Sequence, residues 1–270
     1  MTRFVVVPQW QGSPQSRAMA LADGAEAISG DLPHAKVVHV DVPLEAGEPI
    51  ETGVLRASSL RRVQEELTVA LDRLPDDEHA LVVGGDCSVS VPAVAHVAGD
   101  DLALVWFDAH PDLHTADSSP SGAFAGMALR AILGDGSETL VSGALAPERV
   151  VLIGARARDE AEVDHLASSP ITDIAGDDLG PATVVAAVAA SGATRVYVHI
   201  DLDVLDPAAI VGVGDAVPFG LTRTQVVDTI TALRERFPLA GATVAGFSPA
   251  SPTAAVEDLG TILRIIGALA

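Results

Sequence analysis

Short apolar runs alternate along the whole chain with longer stretches of helical period, and this alternation limits the fold more than any other feature. Phe4–Val7, Ala35–Val40, Ala80–Val83, Leu102–Phe107, Val150–Ile153, Arg195–Ile200 and Thr243–Phe247 read as strands. Between the first two, Ser16–Ile28 is alanine-rich and reads as a helix. Leu60, Val63, Leu67, Leu71 and Leu74 recur at three and four residues and mark one face of another, with Arg62 and Glu66 spaced to pair on its exposed side. Ala123–Leu133 reads as helical, and Gly180-Pro181 opens a helix, since proline suits a first turn. Thr222 and Gln225 have capping-box spacing, and a last helix runs from about Ala254 to Ile266. Strand and helix in alternation argue an α/β fold, with a mostly parallel sheet covered by helices on both faces. No linker divides residues 1–270, so one domain is expected.

Composition narrows the function. The 270 residues carry a formal net charge of −21, which repels phosphate backbones and anionic membranes. Nucleic acid and membrane are therefore not expected as partners. No apolar run reaches the length of a membrane span, and the N-terminal run is too short for a signal peptide. Cys87 is the only cysteine, so no intrachain disulfide forms, and a cytoplasmic protein is expected.

In open parallel sheets ligands gather beyond the carboxyl ends of the strands. Three polar segments stand there: Gly84-Gly85-Asp86-Cys87-Ser88, Asp108-Ala109-His110-Pro111-Asp112 and Asp201-Leu202-Asp203-Val204-Leu205-Asp206-Pro207. In extended chain, residues two apart point to the same side, so Asp108, His110 and Asp112 can converge, as can Asp201 and Asp203. Aspartates at strand ends are also common as caps and turn residues. Four carboxylates brought together would repel one another, and a divalent ion relieves that repulsion; carboxylates with imidazole suit Mn²⁺. Asp86 and Asp206 read as turn-holding residues, and Gly84-Gly85 as a tight turn.

The three segments, in this order, resemble those of the arginase, agmatinase and formimidoylglutamase family, the ureohydrolases. The resemblance implies a three-layer αβα arginase-like fold with a sheet of about eight strands. It implies about two Mn²⁺ per chain sharing a hydroxide, the nucleophile that hydrolyses linear C–N bonds of guanidino, amidino or formimino compounds. Asp108 and Asp201 take the roles of bridging carboxylates, Asp112 and Asp203 ligate one ion each, and His110 is the histidine ligand of one ion. The partner implied is a small amidine- or guanidine-like substrate, and the family's usual trimers or hexamers imply a homo-oligomer.

Three positions depart from the pattern. Cys87 stands where the family has a second histidine ligand; it is either a thiolate ligand, drawing in another divalent ion such as zinc or iron, or a small buried apolar residue. Ala125 stands where the family carries a catalytic histidine. His114, two residues beyond the metal motif, is either a substitute proton donor, catalytic with Asp112 and in contact with substrate, or an exposed loop histidine. Gly246 stands where a glutamate holds the substrate guanidinium, with the neutral Ser248 and Ser251 nearby. Substrate contacts are then expected from His114, Ser121 and Ser251, and the Gly214–Pro218 loop is expected at the pocket rim. The alternative is a catalytically degenerate metal- or ligand-binding protein with the same fold.

Overall fold

The computed structural model describes all 270 residues. Eight strands form one sheet: β1 (Thr2–Val7), β2 (Val37–His39), β3 (His79–Gly84), β4 (Leu102–Phe107), β5 (Val150–Ile153), β6 (Thr172–Ile174), β7 (Arg195–Asp201) and β8 (Leu239–Ala245). Their order is β2-β1-β3-β8-β7-β4-β5-β6. Every pairing is parallel. Parallel strands need long crossovers, and helices supply them: α1 (Ala20–Gly30), α2 (Ala57–Asp72), α3 (Ser90–Val97), α4 (Ala128–Ile132), α5 (Glu160–Ser168), α6 (Pro181–Ala190), α7 (Arg223–Arg236) and α8 (Pro252–Leu269).

Strand alternation separates two cores. Phe4, Val6, Leu81, Val83, Val105 and Phe107 face α1, α6, α7 and α8. Val5, Val7, Val82, Leu104, Trp106 and Tyr197 face the other way, against α2, α3 and α4. Successive side chains point to opposite faces, so strands buried on both sides become near-continuous apolar runs. All six residues of β4 are fully buried, which is why that strand was legible to the residue.

Several boundaries differ from expectation, each for a local reason. The first helix starts at Ala20, after turns over residues 16–19; the Ser13–Leu21 segment lines a cavity beyond the sheet instead of packing as a regular coil. β2 is an edge strand reduced to three residues, preceded by a 3₁₀ turn at His34–Lys36. The expected 123–133 helix splits into a 3₁₀ turn at Ala125–Met127 and the short α4, because backbone groups here serve the neighbouring loop: His114 N–H donates to Gly126 O, and Arg130 N–H to Asp112 O. β8 lies earlier than expected, because Gly246 at φ +85° turns the chain out of the sheet. Arg62 does not pair with Glu66. It lies 3.5 Å from Glu45, while Arg61 and Glu65 form the i,i+4 pair at 3.6 Å. Both capping boxes, Thr222–Gln225 and the unanticipated Asp159–Glu162, are closed in both directions. No helix is long and apolar enough to cross a membrane.

Candidate metal centre

The register of the central strands assembles the site. Phe107 pairs with Ile200 across β4 and β7, so Asp108 and Asp201 emerge side by side. Asp201 pairs with Ala245 across β7 and β8, which brings Gly246 next to it. β3, on the other flank of β8, delivers Asp86 and Cys87. Four contiguous strands thus end on one cavity of about 370 Å³, a size suited to a small ligand. Cys87, Asp108, His110, Asp112, His114, Asp201 and Asp203 all line it, as do Ala125 and Gly246.

Of the buried carboxylates lining it, four come from the two metal motifs: Asp108 (1% exposed), Asp112 (4%), Asp201 (7%) and Asp203 (7%). Backbone donors hold three of them. His110 N–H donates to Asp108 Oδ1 (2.7 Å), Asp203 N–H to Asp201 Oδ1 (2.9 Å) and Ala109 N–H to Asp203 Oδ1 (3.0 Å). Trp106 Nε1–H donates to Asp108 Oδ2 at 3.2 Å. Asp112, in the left-handed region at φ +54°, keeps a buried Oδ2 with no hydrogen-bond partner. Aspartate tolerates that backbone better than most residues.

The electrostatics follow from this crowding. Burial, then the charge of Asp203, pushes Asp201 up to about 7. Burial, then the charge of Asp108, pushes Asp203 up to about 6. Asp108 and Asp112 rise as well, first through lost hydration. His110 answers them. Burial opposes its charge, but hydrogen bonds to Asp108 and Asp203 outweigh that and lift it to about 12. Its Nδ1 lies 3.0 Å from Asp203 Oδ2 and 3.5 Å from Asp108 Oδ1; its Nε2 lies 3.4 Å from Asp215 Oδ2. Cys87 is buried and donates from Sγ to Asp201 Oδ2 at 2.8 Å, with Asp108 Oδ2 at 3.8 Å. Burial and then the charges of Asp201, Asp112 and Asp108 push its thiol far up, so a thiolate here requires a cation beside it.

Other residues divide between site and scaffold. Asp86 accepts from Gly12 N–H and Ser88 N–H, and Asp206 from Ala208 N–H and Gly220 N–H; both hold turns. His114 is not an exposed loop histidine. It is 8% exposed, with Nε2 2.8 Å from Asp159 Oδ2 and 3.8 Å from Glu162 Oε2, and Nδ1 3.2 Å from Ser118 Oγ. Ser121 and Ser251 do not reach the cavity. Ser121 is exposed and accepts from Ala123 N–H, while Ser251 caps α8 by accepting from Ala254 N–H. Gly214 and Asp215 do line the rim, together with Gln15 and Arg17 from the segment before α1.

Three groups escaped the sequence reading. Asp159 and Glu162 carry an Asp-x-x-Glu spacing that signals a helix start, and that signal would have located α5. His199 lies two residues before Asp201 on the same face of β7, so strand periodicity alone puts it beneath the centre.

The comparisons agree with this architecture. The model of the arginase family matches residues 15–261. The chain is 38% identical to the arginase of Bacillus caldovelox over 200 residues, 67% of each chain. The solved structure of that enzyme superposes with a TM-score of 0.81 at 28% identity, covering 98% of both chains. Entamoeba histolytica arginase in complex with L-ornithine superposes with a TM-score of 0.87 at 21% identity, covering 99% of this chain and 97% of that one. Bacillus subtilis formimidoylglutamase gives 0.73 at 16% identity, covering 99% and 86%; these last two are likenesses of fold. The chain, with its three-layer eight-stranded fold, belongs to the arginase family.

Proposed function

We propose that the chain is a metal-dependent hydrolase of linear C–N bonds in guanidino, amidino or formimino compounds. The observation that carries this reading is the convergence of Asp108, His110, Asp112, Asp201, Asp203 and Cys87 on one cavity. The donor set fits divalent ions: four buried carboxylates repel one another, and Asp112 holds a buried oxygen with no partner. Asp108, His110 and Asp203 would hold one ion, whose oxygen and imidazole donors suit Mn²⁺. Cys87 and Asp112 would hold a second, with Asp108 and Asp201 shared. Such ions, when bound, neutralise the carboxylates and bring the pKa of a water towards neutrality.

The chain's own residues do the rest. His114 lines the cavity and substitutes, as proton donor to the leaving nitrogen, for the histidine missing at Ala125. Asp159, 2.8 Å from His114 Nε2 and with its side chain 42% exposed, links the imidazole to solvent. Arg17, the one guanidinium on the cavity wall, meets an anionic end of the substrate in place of Ser121 and Ser251. Gly246 gives no carboxylate, and a strongly basic guanidinium buried without one costs several kcal/mol. Amidines and formimino compounds of lower basicity therefore suit the pocket better. The position is also built around glycine: a Cβ there would fall 2.2 Å from Asp201 Oδ1, at a φ of +85°.

A second reading, a binding protein without turnover, draws on Ala125 and Gly246 lining the same cavity. A panel of guanidino, amidino and formimino compounds, offered with Mn²⁺, Zn²⁺ or Co²⁺, separates the two. Metal-dependent release of urea, ammonia or formamide is expected, whereas ligand binding with no release from any compound would favour the second reading. His114→Ala should lower kcat by about 10²–10⁴-fold, with metal content unchanged. Gly246→Glu should not restore arginine hydrolysis; the strained backbone should cost roughly 1–3 kcal/mol, read by urea unfolding, and metal binding should weaken. Stability should also link metal to pH. With folded values of about 7 for Asp201 and about 6 for Asp203, against about 3.9 unfolded, the native metal-free protein binds more protons than the unfolded chain. The contribution of these two groups then declines as pH rises from about 4 to about 7. Ions that displace those protons reverse the trend, so the stabilisation by Mn²⁺ should grow over the same interval. Unfolding curves with Mn²⁺ and with chelator, compared at each pH, test this; a constant difference would contradict it.

A further inference from the structure

A second, deeper layer lies under the carboxylates. Trp106 pairs with His199 across β4 and β7, one step below the level of Asp108 and Asp201. Both side chains share the face of their neighbours two residues on. The rings stack, with centroids 3.5 Å apart and an interplanar angle of 17°. Trp106 reaches up to donate to Asp108 Oδ2. His199 is fully buried; its Nδ1 lies 2.8 Å from Ser90 Oγ, and its Nε2 has no hydrogen-bond partner. A ring nitrogen of His199, the Cys87 sulfur and an oxygen of Asp108 all lie within 4.8 Å of one another. Asp201 Oδ2, 2.8 Å from that sulfur, completes the group.

We propose that His199 is a metal ligand, acting with Cys87, Asp108 and Asp201 at an inner position, in the place given above to Asp112, and that this position selects a borderline ion such as Zn²⁺ or Co²⁺ over Mn²⁺. This rests on the metal-centre reading above and specifies it. Cys87 stands where the family has a histidine, so an imidazole is missing from one side; His199 returns one from β7, two strands away, beneath the site.

Three considerations support the assignment. A buried imidazole with an idle nitrogen is costly unless that nitrogen is used. Ligating histidines commonly donate their other N–H to an acceptor, and Ser90 Oγ stands where Nδ1–H would donate, leaving the Nε2 lone pair free. Tetrahedral ions with bonds of about 2.0–2.3 Å hold donors about 3.3–3.8 Å apart, so Cys87 Sγ and Asp201 Oδ2 would part from 2.8 Å while the His199 nitrogen draws in from within 4.8 Å. One thiolate, one imidazole and two carboxylates form a softer set than the oxygen-rich group of Asp108, His110 and Asp203. The two positions should then differ in the ion they prefer.

The test uses the full chain, stripped of metal and titrated with Co²⁺, followed by optical absorption. The wild type should develop a thiolate-to-cobalt charge-transfer band together with the intense visible bands of a four-coordinate ion. Cys87→Ser should abolish the first. His199→Phe keeps the ring stack on Trp106 but has no donor nitrogen; it should weaken Co²⁺ at this position by about tenfold or more and alter the visible bands. His199→Asn should do the same. Either histidine variant, cooperatively folded and binding Co²⁺ with wild-type affinity and spectrum, would overturn the proposal while leaving the metal centre standing. Failure of the wild type to bind any ion would overturn both. Should the variants not fold, X-ray absorption on the wild type with one ion of Zn²⁺ bound decides: sulfur and imidazole together in its shell support the proposal, and sulfur without imidazole refutes it.

Discussion

Mutual repulsion among four buried carboxylates is the constraint around which this molecule is organised. Asp108, Asp112, Asp201 and Asp203 have left water and face one another at the end of the sheet. Each buried charge costs several kcal/mol unless hydrogen bonds or counter-charges offset it. The chain offsets part of this with backbone N–H groups fixed by the turns after β4 and β7, and part with the His110 imidazolium. Such a cluster survives only on a rigid base. Two apolar cores clamp the central strands from both faces, and all six residues of β4 lie inside them. The fold supplies the stiffness that the site's electrostatics would otherwise disrupt.

The departures from the family pattern act together. Gly246 is held against Asp201 so closely that a side chain cannot enter without displacing it. Ala125 leaves room on the cavity wall near His114, which is anchored by Asp159 instead of turning outward. Cys87 leans on Asp201 with His199 below. The carboxylate framework is kept, while Ala125 and Gly246 offer no group to protonate or grip a guanidinium. On the proposed reading, the chemistry of the site has been redirected while its base stayed constant.

The sequence revealed the framework better than the boundaries. Fully buried strands such as β4 and β5 announce themselves as unbroken apolar runs, and the Asp-x-His-x-Asp and Asp-x-Asp segments follow them directly. β6 was invisible, because its three residues at the sheet edge include two exposed ones. The end of β8 was misjudged because Phe247 is as apolar as any strand residue, while the turn is decided by the positive φ of Gly246. Ser121 and Ser251 looked like pocket residues from their neighbours in sequence, yet neither lines the cavity, and each hydroxyl accepts from a local N–H group. His114 and His199 show the limit in the other direction. His114 carries no pattern of its own, and only packing reveals its contact with Asp159; periodicity places His199 under the centre, but only packing reveals its stack on Trp106.

The strand order carries a consequence for how the protein is made. β8, the last strand in the chain, lies at the middle of the sheet between β3 and β7. Until residues 239–245 insert there, β3 has no neighbour on that flank, and Cys87 has no route to Asp201. β4 and β7 pair directly, so a nascent chain can bring the four carboxylates together before residues 239–245 are in place, but it cannot bring Cys87 to them. The central strand acts as a checkpoint for the thiol: a chain that has Cys87 against Asp201 has completed its sheet.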